Sequence, residues 1–130
     1  MPDAAVAGMS GQRRLCAAED LAEGGAGVRF MVEMGGRPVG AFVVRFGGGV
    51  HGYLNQCAHV PMELDWQEGQ FFESSGLYLM CATHGAIYAP DSGLCLGGPC
   101  RGASLSKLRV EEHDGNVYWF PESPYEVPAG

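Results

Sequence analysis

Four side chains in this sequence can share a metal centre: Cys57, His59, Cys81 and His84. They come as two short pairs, Cys57-Ala58-His59 and Cys81-Ala82-Thr83-His84, separated by the 21 residues 60–80. A helix would place ligands three or four apart in both halves, and these pairs do not, so loops are the expected carriers. Two thiolates and two imidazoles suit either of two centres. One is a structural Zn²⁺; the other is a [2Fe–2S] cluster with two cysteines on one iron and two histidines on the other. Zinc sites with this donor set usually keep the cysteines together and the histidines together. Here each half contributes one of each, which favours two similar loops clasping a bimetallic centre from opposite sides.

The flanks extend the pattern. The first half runs Asn55-Gln56-Cys57-Ala58-His59-Val60-Pro61-Met62-Glu63-Leu64-Asp65-Trp66, and the second Cys81-Ala82-Thr83-His84-Gly85-Ala86-Ile87-Tyr88, followed by Gly93, Cys95 and Gly98-Pro99. From about residue 15 to 120 this resembles the Rieske family, whose pattern is Cys-Pro-His-x-Gly-x-x-Leu, then Cys-x-x-His-Gly-x-x-aromatic, then a Gly-Pro turn. The resemblance implies one [2Fe–2S] cluster per chain. Cys57 and Cys81 would ligate the buried iron, and His59 and His84 the outer iron near solvent. Leu64 would seal the cluster from water, Gly98-Pro99 would cover it, and Tyr88 would hold the aromatic place, either bonding a ligand sulfur or simply packing.

Three departures from the family pattern matter. Ala58 stands for the usual proline and Pro61 for the usual glycine, so the first loop can have one fewer amide aimed at the cluster. Met62 and Thr83 occupy the places where respiratory members carry a disulfide. Ala86 replaces a serine whose hydroxyl donates to a cluster sulfur in those members. Donors of this kind stabilise the reduced cluster, so their loss points to a low potential. The inter-ligand segment is also a few residues long, with the excess expected as a surface loop around Glu68–Ser75 and a partner contact.

The elements that must position these loops read as strands. Glycine is abundant at 21 residues in 130, clustered between apolar runs, as expected of many tight turns. Val28–Val32 alternates like a half-buried strand, Gly40–Phe46 is more apolar, and Val50–Asn55 follows after Gly47-Gly48-Gly49. Leu77–Met80 is a short strand leading into Cys81, and residues 85–101 are turn-rich. A hairpin of Leu105–Glu112 and Asn116–Phe120 closes the chain, with a proline-bearing tail over the surface. The expected fold is all-β: a Rieske-type antiparallel sandwich or barrel base with a small inserted cluster-binding subdomain at 55–101. The whole of 1–130 is read as one domain, with 1–14 disordered.

A formal net charge of -7 disfavours nucleic acid and anionic membranes and suits docking on a basic protein patch. No apolar span or secretion signal is present in the sequence, and the odd count of five cysteines argues for redox or metal use in a cytoplasmic setting. His51 and His113 read as ordinary polar residues, Cys16, Cys95 and Cys100 as packing thiols, and Trp66 as core. Phe71-Phe72 remains open between core and docking surface. The expected function is electron transfer, not catalysis, with no small-molecule substrate: a ferredoxin passing single electrons from a reductase to an oxygenase. Two alternatives stand beside it. One is a Rieske subunit of another oxidoreductase, such as the small subunit of assimilatory nitrite reductase, and the other a zinc-stabilised interaction domain. An oxygenase catalytic subunit would need a second iron domain for which the chain has no room.

Overall fold

The computed structural model describes residues 12–56, 64–65, 69–73, 75–81, 85–98, 103–122 and 125–127. Among the described residues eleven strands occur in chain order: β1 (Arg13–Ala17), β2 (Val28–Met34), β3 (Arg37–Phe46), β4 (Gly49–Leu54), β5 (Leu79–Cys81), β6 (Ala86–Tyr88), β7 (Cys95–Gly97), β8 (Lys107–Leu108), β9 (Val110–His113), β10 (Asn116–Trp119) and β11 (Tyr125–Glu126). They form three sheets, ordered β1-β10-β9, β11-β2-β3-β4-β8 and β5-β6-β7. Every ladder between these strands is antiparallel. The all-β reading therefore holds, and the third sheet is the inserted layer.

The meander β2-β3-β4 follows from its turns. Gly35-Gly36 and Gly47-Gly48 all have positive φ, and Met34 pairs with Arg37 and Phe46 with Gly49 across two-residue loops. Such turns match the twist of the strands they join and require the left-handed region that glycine enters without penalty. Glu23 fastens the second turn, its carboxylate accepting the amides of both Gly47 and Gly48. Those bonds hold its carboxyl below the usual carboxylate range.

Strand β3 is buried on both faces, and its period-2 alternation divides two cores. Phe42 and Val44 face a cluster with Tyr53, Leu64, Phe71, Leu79, Cys81, Ala86 and Tyr88. Ala41 lies with Val32, Leu54, Leu108 and Trp119, and Val43 with Cys16, Leu21 and Val117. The base thus has its own interior, and the insert packs on the outer face of β3 and β4. Phe71 is the joint: it is fully buried and stacks on Phe42 with ring centroids 3.9 Å apart. Truncating it to alanine should cost about 3–5 kcal/mol. Chemical denaturation checks this, and a loss under about 1 kcal/mol would place Phe71 outside the joint.

Several sequence expectations change here. Arg13 and Arg14, assigned to a disordered 1–14 segment, form β1 against Tyr118 and Trp119 of β10. Arg37 and Pro38 belong to β3 rather than to the turn. The stretch 85–98, read only as turns, contains β6 and β7. The terminal hairpin is narrower than expected, because Lys107–Leu108 pairs with β4 while Val110–His113 pairs with β10. Tail residues Tyr125–Glu126 pair with the edge of β2.

Candidate metal centre

Of the four proposed ligands, the described residues include Cys81; Cys57, His59 and His84 lie outside them, as do Pro99, Cys100 and Trp66. No grouping of three metal-ligating side chains occurs among the described residues alone.

Cys81 ends β5, is fully buried, and pairs directly with Ala86 on β6. Alternation puts Leu79 and Cys81 on one face of this ribbon, with Ala86 and Tyr88 beside them, and that face packs on the base. The chain leaves β5 at Cys81 and re-enters at Gly85, whose amide donates to the Cys81 carbonyl at 2.8 Å. This bond ties the two described ends of the proposed second ligand segment together, at Cys81 and Gly85.

Gly98 follows β7 and crowds this hairpin. A Cβ there would lie 2.8 Å from the Ala86 Cα, and its φ of +97 is one that side-chain-bearing residues rarely adopt. The backbone after β7 can come this close to the hairpin only because position 98 is glycine. Leu64, assigned as the seal, is fully buried in the same cluster as Cys81. Tyr88 is also fully buried there. The thiol therefore sits in an apolar, water-poor setting behind small residues, the kind of niche a sulfur-bridged iron centre fills.

The segment that carries the proposed ligands Cys57 and His59 has a fastening at its two described ends that sequence reasoning missed. Asn55 is buried and bridges both feet of the loop: its Oδ1 accepts the Leu64 amide at 2.8 Å, and its Nδ2 donates to Asp65 at 3.0 Å. The Asn55 amide itself donates to Gly40 at 2.8 Å, tying the loop to β3. Asp65 also accepts the Gly69 amide at 3.1 Å and faces Arg29 Nε at 3.6 Å. The sequence signal was two short polar side chains bracketing the ligand loop.

Other candidates resolve as packing or solvated groups. Phe71 is core, and half-buried Phe72 packs against that core and against Phe46. Glu73 folds its own loop, accepting bonds from Ser75, Leu77 and Tyr78 that lower its carboxyl. His51 bonds the Phe46 carbonyl and His113 bonds Glu111, both ordinary strand polar contacts. Cys95 is a buried thiol whose Sγ donates to the Gly97 carbonyl at 3.3 Å. Cys16 lies in a separate core, where burial, then the Asp20 charge, pushes its thiol up and keeps it unreactive. Tyr53, beneath the insert, donates to Pro90 at 2.8 Å, and burial followed by the Asp91 charge raises its phenol well above the usual value.

Among the described residues no helix is long and apolar enough to cross a membrane. No curated protein matches the sequence. Solved structures do match. A ferredoxin of carbazole 1,9a-dioxygenase from Nocardioides aromaticivorans IC177 is 22% identical with a TM-score of 0.67, over 87% of this chain and 100% of that one. A chain in a complex of reduced oxygenase and oxidized ferredoxin in carbazole 1,9a-dioxygenase is 24% identical with a TM-score of 0.66, over 86% of this chain and 94% of that one. A Sphingomonas yanoikuyae B1 ferredoxin is 22% identical with a TM-score of 0.64, over 85% and 99%. These likenesses establish the fold. A family model described as the Rieske [2Fe-2S] domain matches residues 12–119, and with most of the chain so covered, this protein belongs to the Rieske family, whose cofactor is a [2Fe–2S] cluster.

Proposed function

We propose that this chain is a one-electron carrier of the ferredoxin type, with Cys57, His59, Cys81 and His84 holding the cluster and an oxygenase as the acceptor. Residues 55–101 act as the cluster-binding subdomain of a single domain. The observation that carries the reading is the place of Cys81: a fully buried thiol at a strand end, backed by Ala86 and Gly98 and sharing its apolar cluster with Leu64. When bound, the cluster supplies a centre that accepts and releases a single electron.

The protein's own residues do the rest. Cys81 is buried against the base and would hold the inner iron together with Cys57, while His59 and His84 would hold the outer iron, from which the electron leaves. Leu64 and Tyr88 exclude water from the inner side, and the Gly98-Pro99 turn covers it. The net charge of -7 favours docking on a basic face of a partner. The matches to ferredoxin chains of carbazole 1,9a-dioxygenase, which cover 94% and 100% of those chains, support an oxygenase as acceptor; the donor in this reading is a reductase.

Ala86 bears on the potential. It is the cross-strand neighbour of Cys81 and has no hydroxyl to donate to a sulfur. The midpoint should therefore fall in the lower half of the Rieske range, roughly −150 to +300 mV. Coupled redox titration tests both statements: the reading requires uptake of one electron per chain in that lower half. A midpoint in the upper half would overturn the Ala86 argument. Absence of any reducible chromophore would overturn the electron-transfer function.

A further inference from the structure

We propose that the Arg29–Asp65 pair tunes the reduction potential of the centre and, through Asn55, positions the first ligand loop. This rests on the assignment of Cys57 and His59 as ligands. The Asp65 side chain is 1% exposed, whereas its guanidinium partner Arg29 is 32% exposed. A carboxylate so deeply buried is tolerated only when donors surround it. Among the described residues they are Asn55 Nδ2 at 3.0 Å, the Gly69 amide at 3.1 Å and Arg29 Nε at 3.6 Å.

The carboxylate decides which way Asn55 points. A carboxylate can only accept, so the Asn55 amide nitrogen must face it, leaving Oδ1 to take the Leu64 amide at 2.8 Å. Leu64 in turn lies in the buried cluster that contains Cys81. Asp65 is thus a positioning residue: it acts through Asn55 on the residue that shields the centre. It also places a fixed negative charge next to that shield, with Arg29 as its counter-charge on the solvent side.

The two roles predict different signs. Reduction adds a negative charge to the centre, so a nearby fixed anion opposes it and a nearby cation favours it. Asp65→Asn leaves Arg29 in place and should raise the potential. Arg29→Gln leaves Asp65 in place and should lower it. The double variant should return close to the unsubstituted value. A merely structural fastening would loosen the loop in both single variants and shift both potentials in one direction, as water reaches the centre.

The experiment is redox titration of the purified, iron-loaded protein and these three variants. Opposite shifts of the single variants, cancelling in the double, support the proposal. Shifts of the same sign, or none in either, overturn it. If Asp65→Asn fails to retain iron, Arg29→Gln, at the more exposed partner, decides alone: a lowered potential supports, an unchanged or raised one overturns. Absence of iron from the unsubstituted protein is seen before any titration and overturns the ligand assignment instead.

Discussion

Cys81→Ala should give protein with no visible chromophore and no bound iron, while Cys16→Ala should keep both. The contrast isolates ligation from packing. Both thiols are buried in apolar clusters, so each substitution removes one sulfur from a core and costs a similar, modest amount of packing. Of the two, only Cys81 is a proposed ligand, and it stands at the end of β5. Losing one thiolate of four ligands removes the binding free energy of the group, and in metal-holding folds that energy is folding energy as well. The base should survive, since Val32, Ala41, Leu54, Leu108 and Trp119 pack without the insert. Circular dichroism of the variant should therefore retain β structure and a cooperative transition at lower temperature. Iron analysis and absorption spectra check the rest; full colour in Cys81→Ala would remove it from the ligand set.

The second large effect belongs to Gly98→Ala, a change of one methyl group. The left-handed backbone at φ +97 costs a residue with Cβ about 1–2 kcal/mol. The new methyl also meets backbone, 2.8 Å from the Ala86 Cα and 3.3 Å from its nitrogen, where no side-chain rotation relieves it. Overpacking of this kind costs about 1–3 kcal/mol. The covering turn must then lift from the β5-β6 hairpin, admitting water to the Cys81 side. Thermal unfolding should show a fall of several degrees, and iron should pass to a chelator faster than from the unsubstituted protein. Gly115→Ala is the control: its φ is +77, but nothing lies within 4 Å of a Cβ there. It should show the backbone cost alone and leave iron retention unchanged. Equal iron loss in both variants would mean that Gly98 matters only for its backbone.

These effects also show where the sequence was legible. Strands β2, β3 and β4 could be read because alternation and paired glycines act locally: each turn and each buried face is written in adjacent residues. Strand β1 could not. Arg13-Arg14-Leu15-Cys16-Ala17 has little strand pattern, and its pairing with β10 is supplied by residues a hundred positions away. Strands β6 and β7 have three residues each and lie among turn formers; they are strands because they have partners in Cys81 and Tyr88. The switch of sheets at Arg109 escaped notice for the same reason, since Leu105–Glu112 is a plausible single strand until β4 claims Leu108.

The site was legible to a different degree. Ligand types and spacing are a chemical pattern that survives without geometry, so the sequence alone proposes Cys57, His59, Cys81 and His84 as ligands. The support around them could not. Phe71, open between docking and packing, proves to be the stacking partner of Phe42. The Asn55–Asp65–Arg29 network has no motif, because its members lie on β2, at the end of β4 and beyond the ligand loop. Only folding brings them together.

The central claim is mixed cysteine and histidine ligation of a two-iron cluster, and electron paramagnetic resonance of the reduced protein tests it most directly. The account predicts two irons per chain and a rhombic signal with a low average g-value, as unequal ligation of the two irons requires. A colourless protein holding stoichiometric zinc and no iron would contradict it.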